Sequence, residues 1–403
     1  MKILAIQPFL RGYTIFPVAG GKDKAALEIG RALVRAGHQL DLLPLPWGVE
    51  ARNVEIIGQS QPVLLSPDGL QARVRPTIVF PSAAEMRTLL WRFLTRKRSY
   101  RYPAVSAREL IWNSLPNKRR SVARLLQDGH PDVLVVHQSG SDVPVIAREC
   151  GYRGPLVLVH HSAGLSAFVT HYDHVVFVSA QQRDAAVARY PQLRERSSVI
   201  YYFADPDYFV PVDPVPRREV TFIGIMDSNR KGLDLILKAF AEDPRLREVT
   251  LNVVGDGPLR ARWEAEARAQ NLTAHFHGRI SHAANAALLA RSGAFVMPSR
   301  GEGLALVYLE ALCMGVPIVG FPPNVHEIEA MLGRRVGCAF RADVDPVSQL
   351  AEHIVRLTAE NSVITRADRQ ALSVATRAQF SLEAFHRHYA EFFRQFEKPK
   401  GTP

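Results

Sequence analysis

The stretch Pro298-Ser-Arg-Gly-Glu-Gly-Leu-Ala-Leu-Val-Tyr-Leu-Glu-Ala-Leu-Cys-Met-Gly-Val-Pro-Ile-Val-Gly320 decides the fold. The apolar run 294–297 before it reads as a short buried strand, and 298–303 as a polar loop carrying glycine. Across 304–314 the apolar residues keep helical spacing, and Gly315-Val-Pro317 is a stop signal. Two carboxylates stand out in it. Glu310 sits inside the apolar run of the helix, where a charge is costly unless it is paired or hydrogen-bonded. Glu302 sits at the helix mouth, where backbone N–H groups point outward and favour anions. An acid at that place repels a phosphate unless it grips another part of the same ligand. One molecule satisfies both: a sugar hydroxyl at Glu302, a diphosphate at the helix entrance Gly303-Leu304-Ala305, and a ribose diol at Glu310. An ordinary buried helix with one solvated face is the alternative.

Working outward, the 403 residues exceed the usual size of one core, so two domains are expected, and 47% apolar content is enough for two. No run of eighteen apolar residues occurs, and the first eight turn polar too soon for a signal peptide. Cys150, Cys313 and Cys338 are few, odd in number and not spaced for metal, which predicts a reducing cytoplasm. The net charge of +11 is one-sided: residues 1–200 hold 26 Lys and Arg against 15 Asp and Glu. Within that half, 86–124 carries eleven basic residues and one acid, interleaved with Trp91, Phe93, Tyr100, Tyr102 and Trp112. Such asymmetry predicts an anionic partner: membrane, nucleic acid or an acidic substrate.

Taken in order, 2–7 reads as a strand, 8–22 as a loop ending in Gly20-Gly21, 24–36 as a helix, and 39–43 as the next strand. Strand, glycine loop, helix, strand is a doubly wound signature. The glycines suit either a plain tight loop or a close backbone approach to a ligand. Strands at 131–137, 155–160 and 173–179 follow, the second ending in His160-His161. Four prolines in 205–216 mark a linker, after which the alternation restarts and runs to the focal helix. An amphipathic helix over 381–396 closes the chain.

These elements and motifs resemble the retaining, nucleotide-sugar-dependent glycosyltransferases of family four. Their signature of two glutamates spaced by seven residues is close to Glu302-Gly-Leu-Ala-Leu306, Glu310-Ala311 and Gly315-Val-Pro-Ile-Val319. The resemblance implies the α/β GT-B fold: two doubly wound Rossmann-like domains facing across a cleft, with the C-terminal helix crossing back to the N-terminal domain. The implied divisions are an acceptor-side domain 1–203, a linker 204–217, a nucleotide-sugar domain 218–378, a crossover helix 379–397 and a tail 398–403. Glu302 would hold the C3 and C4 hydroxyls of the donor sugar, and Glu310 the ribose. Gly224 to Gly232 resembles the family's Gly-Arg turn ending in Lys-Gly, so Lys231 would clasp the diphosphate. The family's Arg is Ile225 here, a departure that adjacent Arg230 could offset. Gly20 and Gly21 occupy the place of the glycine loop facing the donor, and Arg279 that of a nucleobase contact. His161 falls where the family places a histidine near the transferred sugar, with His160 one step before.

The resemblance further implies a UDP- or GDP-sugar donor, no cofactor and no metal, and a glycan or lipid-linked acceptor, in cell-envelope polysaccharide or glycolipid synthesis. Residues 86–124 would meet that acceptor or an anionic membrane surface, placing the chain in the cytoplasm, peripheral to the inner face of the membrane. No nucleic-acid motif accompanies the charge. Two other readings stay open: a nucleotide-sugar epimerase of similar fold, and a basic binding protein without chemistry.

Overall fold

In the computed structural model, residues 1–7, 21–44, 61–64, 70–74, 115–137, 143–204, 218–340, 345–359 and 365–397 are described. The chain divides into two units, one of 1–178, 183–200 and 386–403, the other of 179–182 and 201–385. The sequence expectations for Gly20, for the whole 205–216 linker and for 86–114 lie outside the described residues.

In chain order the first unit contains β1 (Lys2–Gln7), α1 (Gly21–Arg35), β2 (Gln39–Pro44), β3 (Gln61–Leu64), β4 (Gln71–Val74), α2 (Leu115–Gly129), β5 (Val133–Val136), α3 (Val143–Glu149), β6 (Leu156–His160), β7 (His174–Phe177), most of α4 (Ala180–Arg189) and β8 (Ser197–Val199). Its sheet runs β3-β4-β2-β1-β5-β6-β7-β8, parallel except for the β3–β4 pair. Strands covered on both faces read as unbroken apolar runs, and β5 and β6 are buried at every residue. Leu134, Val136, Leu156, Leu158 and Phe177 pack with Val122 and Leu125 of α2 and Ile146 of α3. The expected start of α1 shifts: Gly21 is its first residue and not the end of the loop.

The second unit contains β9 (Glu219–Ile223), α5 (Leu233–Glu242), β10 (Thr250–Val254), α6 (Arg260–Ala269), β11 (Ala274–Gly278), α7 (His282–Arg291), β12 (Ala294–Met297), α8 (Leu306–Cys313), β13 (Ile318–Gly320), α9 (Pro322–Leu332), β14 (Gly337–Ala339), α10 (Pro346–Thr358), α11 (Arg366–Gln379) and the start of α12 (Leu382–Arg394). Its sheet is wholly parallel in the order β11-β10-β9-β12-β13-β14. The chain leaves β9 toward β10 on one side and later returns to β12 on the other. The carboxyl ends of β9 and β12 therefore flank the point where strand order reverses, the usual ligand crevice of such sheets.

From His386 onward α12 belongs with the first unit. There His386 Nε2 lies 2.9 Å from Glu28 Oε2 of α1, and the Phe392 ring meets His174 at 4.9 Å. Among the described residues no helix is long and apolar enough to cross a membrane.

Tyr308 of α8 ties the switch region together. Its fully buried hydroxyl donates to Met297 O at 2.7 Å and accepts from Phe321 N at 2.8 Å, joining the end of β12 to the entry of α9. Burial pushes the phenol well above its ordinary pKa, so it stays a donor. Tyr308→Phe leaves the buried Met297 carbonyl and the partly buried Phe321 N–H without this partner and is expected to cost about 2 kcal/mol. The check is a lowered urea midpoint at unchanged slope.

Candidate donor site and family membership

Two loops build the candidate site of the second unit. One follows β9 and ends in a turn over Asn229–Lys231, where the Ser228 hydroxyl accepts from Arg230 N. The other follows β12, from Pro298 to Ala305. They are joined backbone to backbone: Arg300 N donates to Arg230 O at 2.8 Å. The Arg300 guanidinium adds a bidentate pair to Asp234 of α5, at 2.9 and 2.8 Å, and a bond to Asn229 O. Gly232, at φ +81°, completes the join, since a Cβ there would stand 2.2 Å from Pro298 O.

This join brings Glu302 and Lys231, 71 residues apart, into contact, with Lys231 Nζ 2.7 Å from Glu302 Oε1. Arg230 Nη1 lies 3.4 Å from the same oxygen. Ser299, buried, has its Oγ 2.5 Å from Glu302 Oε1, 3.0 Å from Arg230 O and 3.3 Å from Gly301 O. A hydroxyl has one proton, and the shortest contact, to Glu302, is the one that takes it. Burial lowers the pKa of the Lys231 ammonium, against the opposing pull of Glu302. The site thus concentrates a carboxylate and two cations at one strand-end crevice. The position expected for a further cation holds Ile225, an apolar side chain 44% exposed.

The helix entrance departs from its expected form. Helix α8 spans Leu306–Cys313 with Ala305 as an N-cap that makes no side-chain bond, whereas the periodicity placed its start at 304. The reason is Asn324 of α9, fully buried, whose amide donates to Gly303 O at 2.9 Å and accepts from Ala305 N at 3.2 Å. That clamp holds 303–305 as loop and commits the Ala305 N–H to protein. Gly303 and Leu304 remain in the bend beside Glu302, both buried. Glu310 is half-buried in α8, about 6 Å along the axis from Leu306 at helical rise. Arg279 is exposed just past Gly278 at the end of β11.

In the first unit, His160 closes β6 and His161 follows it, and both are buried. His160 is buried with its ring edge-on to Phe177 at 5.5 Å, and burial holds its pKa down at about 4. His161 instead meets His137, which follows β5, with Nδ1 of His137 3.0 Å from Nε2 of His161.

Sequence reasoning missed Ser299 as a ligand of Glu302, the Arg300–Asp234 clamp, Asn324 and His137. For Ser299 the signal was present, since it adjoins the glutamate. For Arg300 and Asp234, 66 positions apart, nothing local announces the pairing.

A family model for glycosyl transferases group 1 matches residues 217–360, and one for glycosyltransferase family 4 matches residues 19–208. Sucrose-phosphate synthase from Thermosynechococcus elongatus has a similar structure, with a TM-score of 0.69 at 18% identity over 98% of each chain. The chain belongs to the GT-B glycosyltransferases. Other GT-B structures similar to this glycosyltransferase include Anabaena HepE, solved with UDP and glucose, with a TM-score of 0.66 at 17% identity over 98% of this chain and 100% of that one. The lipopolysaccharide outer core galactosyltransferase WaaB gives 0.66 at 13% identity over 98% and 100%. At these identities the likeness of this glycosyltransferase to them is one of fold. Putative glycosyltransferase EpsF of Bacillus subtilis is 34% identical over 109 residues, 27% of this glycosyltransferase and 28% of that protein's length.

Proposed function

We propose that this glycosyltransferase moves a sugar from a UDP- or GDP-sugar to a glycan or lipid-linked acceptor, with retention at the anomeric carbon and without a metal. The observation that carries the reading is the meeting of Lys231 with Glu302 where the strand order reverses. Lys231, assisted by Arg230, takes the diphosphate as its charge grows on departure, together with the amides of Gly303 and Leu304. Glu302 accepts hydroxyls of the transferred sugar and Glu310 those of the ribose. Arg279 meets the nucleobase, His161 a further sugar hydroxyl, and Gly20 and Gly21 the glycine-loop side of the donor. The acceptor attacks on the face the diphosphate leaves, and a phosphate oxygen receives its proton.

The acceptor is assigned to cell-envelope polysaccharide or glycolipid synthesis on the basic, aromatic-rich composition of 86–124, which suits an anionic lipid-linked chain or membrane surface. A thermal-shift panel of UDP, GDP and their sugars tests the donor, with stabilisation by one nucleotide series as the expected result. An NMR reading of the product's anomeric configuration tests retention, and an inverted product overturns it. Epimerised donor in the absence of acceptor supports the epimerase instead.

Glu310→Ala is expected to weaken nucleoside diphosphate binding roughly tenfold, about 1.4 kcal/mol, by removing the ribose acceptor. Titration calorimetry with the stabilising nucleotide reads it, and an unchanged Kd removes Glu310 from the site.

A further inference from the structure

Glu302 does not offer its two oxygens equally. Three side-chain donors reach it among the described residues: Ser299 Oγ at 2.5 Å, Lys231 Nζ at 2.7 Å and Arg230 Nη1 at 3.4 Å. All three meet Oε1. Oε2 accepts from none of the described residues, yet it is not a buried orphan, and 9% of the side chain stays exposed. Each carboxylate oxygen has about two acceptor directions. Ser299 and Lys231 fill those of Oε1, and Arg230 lies at the limit of a hydrogen bond. The directions left for a substrate hydroxyl are those of Oε2.

Two of the three donors have other work. Lys231 and Arg230 carry the charges assigned to the diphosphate, and a bound donor draws them toward its own oxygens, which loosens their hold on Oε1. Ser299 is uncharged, buried and short, so it stays. Its backbone is fixed at the exit of β12: Ser299 N donates to Met297 O at 2.7 Å, and the following Arg300 N donates to Arg230 O at 2.8 Å. The direction of the side-chain bond follows from its length. Two oxygens 2.5 Å apart need a proton between them, and a carboxylate paired with Lys231 has none to give, so the Ser299 hydroxyl supplies it. The other oxygens near Ser299 Oγ, Arg230 O at 3.0 Å and Gly301 O at 3.3 Å, are neutral carbonyls at greater distance.

We infer that Ser299 is a positioning residue for this carboxylate: by holding Oε1 it presents Oε2 as the oxygen that receives the hydroxyls of the transferred sugar. The inference rests on the donor-site reading and sharpens it, since the carboxylate then accepts at most two sugar hydroxyls, both at one oxygen. A carboxylate whose plane is set before the donor arrives also holds the sugar in a fixed orientation to the departing diphosphate.

The test is steady-state kinetics on the full chain, with the nucleotide sugar found by the thermal-shift panel, as a double-mutant cycle of Ser299→Ala and Glu302→Ala. Ser299→Ala is expected to lower kcat roughly tenfold while the nucleoside diphosphate Kd stays within about threefold of the parent. In the Glu302→Ala background the same change is expected to cost less than about twofold, because no carboxylate is left to hold. Parent kcat in Ser299→Ala overturns the inference. So does an equal loss in both backgrounds, or a weakened nucleoside diphosphate Kd, either of which makes the hydroxyl a support for the Arg230 turn alone. A crystal structure of the parent with an unreactive nucleotide-sugar analogue gives a second reading that needs no variant. Sugar hydroxyls on Oε2, with Ser299 still on Oε1, are expected, and sugar hydroxyls on Oε1 overturn the inference. Parent kcat in Glu302→Ala, or no turnover by the parent on any nucleotide sugar, instead fails the donor-site reading, and the inference falls with it.

Discussion

Glu302→Ala is expected to lower kcat by about 10²- to 10³-fold while leaving nucleoside diphosphate affinity within about threefold of the parent. The carboxylate is assigned to the transferred sugar, whose charge changes in the transition state, and not to the nucleotide, so the loss falls on turnover. Its oxygen also accepts from Ser299 and Lys231, and removing it leaves both without that partner. Glu302→Gln separates the two roles, because an amide oxygen still accepts from Ser299 and Lys231 but carries no charge. A kcat within about threefold of the parent in both variants sinks the assignment. Loss of nucleotide binding in the alanine variant but not in the glutamine one instead marks Glu302 as a brace for Lys231.

The second large effect is on stability. Gly232→Ala is expected to destabilise the second unit by about 3 kcal/mol, because the residue sits at φ +81° and its Cβ would overlap Pro298 O. That corresponds to a fall in Tm of roughly 6–12 °C. The strain is not confined to one residue: relief by backbone movement has to separate the Asn229–Lys231 turn from the loop that carries Glu302. Michaelis–Menten measurement below the new transition should therefore show a raised KM for the donor as well. An unchanged Tm means the turn can relax at no cost, and the two loops are then less firmly joined than their contacts imply.

How much of this was legible beforehand depends on the range of the interaction. The buried strands β5 and β12 are unbroken apolar runs, and β6 is one up to its closing His160, so hydropathy alone locates them. The restart of strand–helix alternation after the prolines gave the second sheet. Glu302 and Lys231 were found by motif, while the reason they meet, backbone pairing of Arg300 with Arg230, has no local trace. The start of α8 was misplaced because periodicity cannot see Asn324 reaching from the next helix to hold Ala305 in the loop. His137 was findable: Pro131 to His137 and Pro155 to His161 are both seven-residue stretches that open on proline, run through four apolar residues and close on a histidine, and parallel neighbours place such ends side by side. His160 and His161, adjacent in sequence, are both buried but differ in surroundings, the first meeting Phe177 and the second His137.

The crowding at Gly232 recurs one strand over. A Cβ on Gly255 would lie 1.9 Å from Gly224 O, and one on Gly257 would lie 2.4 Å from both the carbonyl carbon and the oxygen of Met226. Three neighbouring strand exits thus meet main chain to main chain at these glycines, which leaves little room for a change in length or path. For anyone recombining this enzyme with a relative to alter which sugar it accepts, the exits after β9, β10 and β12 form a single cassette. Hybrids that exchange all three should fold, and those that exchange one should not.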